Sequence, residues 1–230
     1  MDVRDAVASR YSCRAFLPTP VSLAIVRDIL DRAGRAPSGG NVQPWLVHAL
    51  TGAPLEQLKV LLRPRLAAEL PDGEGAEYPI YPDPLKEPYR SRRFEAGEIM
   101  FGSIGIPRDD RPARIRQYGR NFEFFDAPAG LFFSLDRSMG WPQKSDLGGY
   151  VQTVMLLARA HGLHTCAQEA WIHWHKTLPP FLGMPPDPIL FCGMALGYAD
   201  ESAPINRWHS PRAPLDEIAT FRGFADAAES

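Results

Sequence analysis

Between Ala33 and Trp45 no helix or strand can run through. The stretch reads Ala-Gly-Arg-Ala-Pro-Ser-Gly-Gly-Asn-Val-Gln-Pro-Trp. Pro37 and Pro44 each fix φ and remove a backbone donor, and Gly39-Gly40 admits backbone shapes that other residues avoid. The stretch therefore divides one element from the next. Upstream, Ile25, Val26, Ile29, Leu30 and Ala33 recur at helical spacing behind Ser22, a suitable N-cap. Downstream, Trp45 to Leu50 reads as a mostly buried strand that Thr51-Gly52 closes. Two adjacent glycines also let backbone N–H groups approach a ligand with no Cβ between. Asn41 and Gln43 carry donors and acceptors together, which suits the edge of a heteroaromatic ring. The same composition serves a plain connector equally well.

The rest of the chain bounds the problem. Its 230 residues suffice for one domain with a sizeable core, 1–230. A formal net charge of −2 gives no reason to expect nucleic acid or an anionic membrane as partner. No apolar run approaches membrane-spanning length, and Met-Asp-Val-Arg-Asp lacks the pattern of a secretory leader. Cys13, Cys166 and Cys192 are sparse and unclustered, as expected of reduced thiols in the cytoplasm.

Further elements follow from periodicity. A short helix over Val3–Arg10 precedes Arg10-Tyr-Ser-Cys-Arg14, where an extended chain would set Arg10, Ser12 and Arg14 on one face. Two guanidiniums and a hydroxyl on one side suit a phosphate; a solvated charge pair is the alternative. A helix from Pro54 carries Leu55, Leu58, Leu61 and Leu62. Residues 71–88 hold Pro71, Pro79, Pro82, Pro84 and Pro88 with Tyr78 and Tyr81, and helical stretches follow at 89–101 and 109–118. Residues 71–119 are thus expected to be an insertion that covers a pocket or a partner subunit, or a solvated excursion with no chemical role. The aromatic block 121–128 leads into a buried strand at 130–135. Met139, Trp141 and Pro142 are expected to form a turn, and Ser145 to cap a helix lined by Leu147, Val151, Val154, Met155 and Ala158 that ends at His161-Gly162. A strand at 164–167 turns into a helix near Glu169, where unpaired N–H groups would favour electron density on a ring nitrogen. Another buried strand spans 189–196, and a weak amphipathic end spans 215–221. His48, inside a strand, reads as a satisfied core or edge histidine.

Together these stretches resemble the nitroreductase family of flavin mononucleotide (FMN) enzymes, in order and over nearly the whole chain. Arg10-Tyr-Ser-Cys-Arg14 is similar to the family's Arg-x-Ser-x-Arg/Lys element. Ala36-Pro-Ser-Gly-Gly-Asn-Val-Gln-Pro-Trp45 is similar to Ala-Pro-Ser-x-x-Asn-x-Gln-Pro-Trp. Gly162 to Glu169 resembles the strand-to-helix turn that meets the flavin, and Gly197-Tyr198 through Arg212 the closing segment. The branch it most resembles is that of the nitroaromatic and quinone reductases with a long Pro/Tyr insertion.

The resemblance implies an α+β fold with a central, mostly antiparallel sheet flanked by helices in an intertwined homodimer. It implies FMN as cofactor, NADH or NADPH as donor, and a ping-pong hydride transfer through flavin N5 to a small-molecule acceptor. By that resemblance Arg10, Ser12 and Arg212 would hold the FMN phosphate, with Tyr11 beside them. Arg14 would sit at the pyrimidine side, where its charge would stabilise the reduced flavin. Asn41 and Gln43 fall in the motif lining the ribityl and ring region, and Pro37, Ser38 and Gly39 would reach the partner subunit's flavin. Glu169 and Ala170 would present N–H groups to N5, with Gln168 and Asn121 as further cofactor contacts. Two departures stand out: His209 lies where many relatives have a second arginine, and Ala170 where glycine is common. Related tasks on the same fold are enone reduction, dehalogenation, flavin-consuming chemistry or a non-enzymatic sensor role. No G-x-G-x-x-G follows a strand, so no separate nicotinamide domain is expected. His161, His164, Cys166, His173 and His175 raise a zinc hydrolase as a rival. They lack a His-Glu-x-x-His or paired Cys-x-x-Cys spacing, so no metal site is expected.

Overall fold

The apolar runs of the chain pair into one antiparallel sheet. In the computed structural model, which describes residues 1–224, strands β1 (Leu46–Thr51), β2 (Ala129–Asp136), β3 (His164–Gln168) and β4 (Pro188–Gly197) lie in the order β1-β2-β4-β3. The helices in chain order are α1 (Val3–Ser9), α2 (Leu23–Ala33), α3 (Gly52–Glu69), α4 (Tyr89–Ser103), α5 (Arg111–Gly119), α6 (Trp141–Ala160), α7 (Leu178–Leu182) and α8 (Leu215–Ile218). The α+β expectation with an antiparallel sheet between helices holds.

Side chains of a strand alternate between faces, so the two central strands feed two cores. Leu131 and Phe133 of β2, with Met194 of β4, pack with Val26 and Ile29 of α2 and Val151 and Val154 of α6. Phe132 points the other way, among Leu58 and Leu62 of α3, Phe124, Trp171 and Trp174. The aromatic block is a 3₁₀ segment, Arg120–Asp126. Phe124 and Phe125 take left-handed backbone there, φ 51° and 54°. Such geometry costs a non-glycine residue, and burial of both rings holds it. Gly130 makes room: a Cβ there would stand 2.6 Å from Phe124 Cζ.

Five expectations are corrected. The Trp45–Leu50 run is not mostly buried: β1 is an edge strand paired only with β2, and Leu46 is 38% exposed. His48 on it is not satisfied, because its buried Nδ1 has no hydrogen-bond partner. Leu61 does not join the α3 stripe and is exposed. Trp141 and Pro142 are not a turn, nor is Ser145 the cap of α6. Gly140 is the N-cap, and its N–H donates to Gln143 Oε1 at 3.1 Å, which starts the helix one turn earlier.

Residues 71–88 are irregular but tied down. Glu74 accepts from the Lys176 N–H at 2.8 Å, and Glu77 from the Leu190 N–H at 2.9 Å. This path carries the chain over the turn after β3 and delivers Tyr81 and α4 beside the sheet. No helix of the described residues is long and apolar enough to cross a membrane.

Candidate active site

The segment after α1 runs extended beside β3. The Cys13 N–H donates to Thr165 O at 3.0 Å, the Leu17 N–H to Tyr198 O at 2.8 Å, and the Asp200 N–H to Ala15 O at 3.0 Å. Alternation then does what the sequence suggested: Cys13 is wholly buried, while Arg10, Ser12 and Arg14 line one cavity. Asn206, itself buried, locks the segment. Its Oδ1 accepts from the Arg14 N–H at 2.8 Å, and its Nδ2 donates to Ala15 O at 2.8 Å and Asp200 O at 2.9 Å.

This first cavity has a volume of about 670 Å³, and Trp208, His209 and Arg212 close it from the C-terminal segment. Tyr11 stands edge-on to His209, with ring centroids 5.7 Å apart. The cavity brings together three arginines and the Ser12 hydroxyl, and among the described residues no carboxylate lines it. Burial, and then the charge of Arg212, lower the pKa of Arg10. Like charges held this close without a counter-charge form a ready anion site.

A second cavity, of about 570 Å³, shares Arg14 with the first. Its floor is the end of β3 and the 3₁₀ turn Glu169–Trp174, where Ala167, Gln168, Glu169 and Ala170 line it with Asn121. Gln168 Nε2 donates to Asn121 O at 2.7 Å, and Trp171 Nε1 donates to Gln168 Oε1 at 3.4 Å. Gly193 leaves the space that the Trp171 indole fills. The first N–H groups of such a turn have no acceptor within it. Part of the Glu169 side chain is open to solvent, yet cover of its carboxyl raises its pKa. The other wall is made by residues 71–119, with Tyr81, Arg93, Met100, Phe101 and Tyr118.

Arg10, Tyr11, Ser12, Arg14 and Arg212 are thus gathered in one cavity, and Arg14, Asn121, Gln168, Glu169 and Ala170 in its neighbour. Pro37, Ser38, Gly39, Asn41 and Gln43 line neither cavity. Their loop sits at the start of α6, where the Gly39 N–H donates to Asp146 Oδ2 at 3.1 Å. Ser38 Oγ accepts from the Gln43 N–H at 3.0 Å, and Gln43 Nε2 donates to Asn41 O at 3.2 Å. Trp208, Gln152, Ala96 and Arg93 were not anticipated; they come from three distant places, the C-terminal segment, α6 and α4.

The histidines of the zinc rival are engaged elsewhere. His161 Nε2 lies 2.9 Å from Asp28 Oδ2, and Arg159 Nη1 donates to His164 Nδ1 at 3.1 Å. His173 Nδ1 and His175 Nδ1 donate to the carbonyls of Asp72 and Ile172 at 3.0 Å and 3.2 Å. Among the described residues no group of three His, Cys, Asp or Glu is placed to hold a metal ion.

The profile of the Nitroreductase family matches residues 7–198. The chain is 39% identical to the nitrobenzene nitroreductase of Ectopseudomonas oleovorans, over 95% of this chain and 96% of that one. It is 40% identical to the 4-nitrobenzoate reductase of Pseudomonas putida, over 97% and 96%. Among solved structures, the FMN and NADPH-dependent nitroreductase NfnB from Sphigopyxis sp. strain HMH superposes with a TM-score of 0.93. It is 44% identical, over 97% of this chain and 100% of that one.

Proposed function

Because the chain belongs to the nitroreductase family, we propose that it is an FMN-dependent oxidoreductase that uses NADH or NADPH to reduce nitroaromatic or quinone-type acceptors. One observation carries the reading. A cluster of Arg10, Arg14 and Arg212 with Ser12, lined by no carboxylate among the described residues, adjoins a second cavity floored by the strand-to-turn segment Gln168–Ala170. The relatives named above act on nitrobenzene and 4-nitrobenzoate or depend on FMN and NADPH, and they support the same reading.

The residues fit FMN. Arg10, Ser12 and Arg212 would take its phosphate through charge-assisted hydrogen bonds, with Tyr11 flanking them. Arg14, shared by both cavities, would stand at the pyrimidine side, and Gln168 and Asn121 would complete that edge. When bound, FMN supplies the two-electron chemistry, accepting hydride from the nicotinamide and passing it on from N5. Glu169 and Ala170 would offer backbone N–H groups to that region. The second cavity would receive donor and acceptor in turn, which gives ping-pong kinetics.

The loop holding Pro37, Ser38, Gly39, Asn41 and Gln43 supports a homodimer reading. It lies outside its own chain's cavities, and Val42 is 47% exposed. In this reading the loop completes the partner's site. Residues 71–119 form an insertion within a single domain spanning 1–230 and shape acceptor choice. Three free, buried cysteines fit a cytoplasmic enzyme.

The test is the absorption spectrum of the purified protein before and after anaerobic NADH or NADPH. Near-stoichiometric flavin that bleaches is expected, as is loss of flavin in Arg10→Ala. Protein that takes up no flavin after reconstitution would overturn the reading. Flavin that fails to bleach would leave a binding or sensor role in its place.

A further inference from the structure

Helix α4 carries three arginines within one turn, and two of them are matched. Arg90 Nε lies 2.7 Å from Glu87 Oε1, and Arg92 Nη2 lies 2.5 Å from Glu217 Oε2. Arg93 forms no ion pair among the described residues. Its guanidinium carbon instead lies 4.2 Å from the centroid of the Tyr81 ring, and both side chains line the second cavity with Met100, Phe101 and Tyr118.

Stacking occupies the face of a guanidinium and leaves its in-plane N–H fork free. That fork matches a carboxylate in a bidentate pair. An unpaired arginine is ordinarily just solvated. Here the ring beneath it restrains its plane, and the adjacent walls are aromatic rings and a thioether. A phosphate dianion would call for a second cation or a set of N–H donors, and this wall offers one guanidinium. The other arginine of the cavity, Arg14, belongs to the segment beside β3 and would be engaged by the cofactor.

We propose that Arg93 is the acceptor-selecting residue of this site. It binds the carboxylate of an aromatic acceptor, so that the ring lies along Tyr81, Phe101 and Met100 and the opposite substituent points toward the Gln168–Ala170 floor. The inference deepens the nitroaromatic reductase reading and rests on it for the reducible group. The carboxylate contact itself is independent of turnover.

The experiment uses FMN-loaded protein, wild type, Arg93→Met and Arg93→Lys, in two arms. In the first, benzoate and toluene are titrated against the flavin spectrum. The wild type should bind benzoate, and Arg93→Met should weaken that binding about tenfold without moving toluene. In the second, kcat/KM is compared for 4-nitrobenzoate and nitrobenzene with each donor. Arg93→Met should lose about tenfold on 4-nitrobenzoate and stay within about twofold on nitrobenzene, with Arg93→Lys between. Equal losses on both acceptors would overturn the proposal, as would a loss seen only with NADPH, which would assign Arg93 to the donor's phosphate. If the wild type fails to bleach with either donor, the reductase reading falls, and the benzoate arm still decides Arg93.

Discussion

The two walls of the second cavity are built on opposite plans. The inner wall, from β3, the Arg10–Arg14 segment and Asn121, rests on fully buried neighbours. Trp171, Phe122 and Phe124 beneath it have no exposed area, and Asn206 pins the segment with three hydrogen bonds. The outer wall is centred on α4, and the 71–119 segment that carries it is tied to the core at its ends, through Glu74, Glu77 and Gly119. α4 buries no residue, and its contacts are ion pairs such as Arg92–Glu217 and Arg114–Glu98 and cation–ring stacks such as Arg93–Tyr81. Surface pairs of this kind each contribute little, whereas a close-packed core registers the change of one methylene. One wall is therefore fixed in shape, as the proposed cofactor side requires. The other is open to variation, as the proposed acceptor side requires.

The sharpest way to test the contrast is Gly193→Ala under the inner wall. A Cβ there would overlap the Trp171 indole, with Nε1 only 2.7 Å away. The ring is hemmed in by Phe122, Phe124 and Phe132 at 5.2, 4.7 and 5.0 Å between centroids. With no room to move, the substitution should cost about 3 kcal/mol or more, read as a lower urea midpoint. A near-neutral result would mean the inner wall is looser than its burial implies.

Next comes Asn206→Ala. It orphans the Arg14 N–H and takes one of the donors from each of two carbonyls, which keep the Asp200 and Ala203 N–H groups, a loss of about 1–3 kcal/mol, and it should also loosen flavin binding because Arg14 and Ser12 lose their backing. Urea unfolding and flavin retention check both halves. A stability loss with full flavin retention would separate folding from cofactor placement.

Protonation probes the same wall. His164, at the start of β3, is buried, and burial together with Arg159 lowers its pKa to about 4. The unfolded chain then takes up a proton that the folded one resists. The contribution is intact above the ordinary histidine value of about 6.5 and is lost as pH falls from there to about 4. His164→Asn keeps an acceptor for Arg159 without titrating. The slope of unfolding free energy between those pH values, of order 2 kcal/mol in all after allowance for the ring's partial solvent access, should flatten in this variant. An unchanged slope would assign it to other groups.

The inner wall was also the part legible in the sequence. Arg10, Ser12 and Arg14 share a face because any extended segment alternates, and Gln168 to Ala170 follow a short apolar run into a turn. What escaped were features set by position in the sheet rather than by local pattern. Trp45 to Leu50 is as apolar as a central strand, yet its place at the edge leaves β1 half exposed. Ser145 is a good cap by type, but Gly140 with Gln143 caps one turn earlier. Trp208 and Gln152 join the arginine-lined cavity from the tail and from α6, and Arg93 joins its neighbour from α4, a convergence that no spacing encodes. The Pro37–Gln43 loop was legible as a motif, yet it lines neither cavity of the chain.

The smallest expected effect bears on the outer wall, and its sign is the informative part. Gly97 lies inside α4 with nothing within 4 Å of where a Cβ would stand. Glycine in a helix interior costs about 0.5–1 kcal/mol relative to alanine through backbone entropy. Gly97→Ala should therefore raise stability by about that amount, seen as a higher urea midpoint. A helix that buries nothing gains from its own propensity, because no neighbour is there to object. If Gly97→Ala instead lowers the midpoint, something covers α4 in solution. The outer wall would then be packed like the inner one, and the division between a fixed cofactor side and a variable acceptor side would fail.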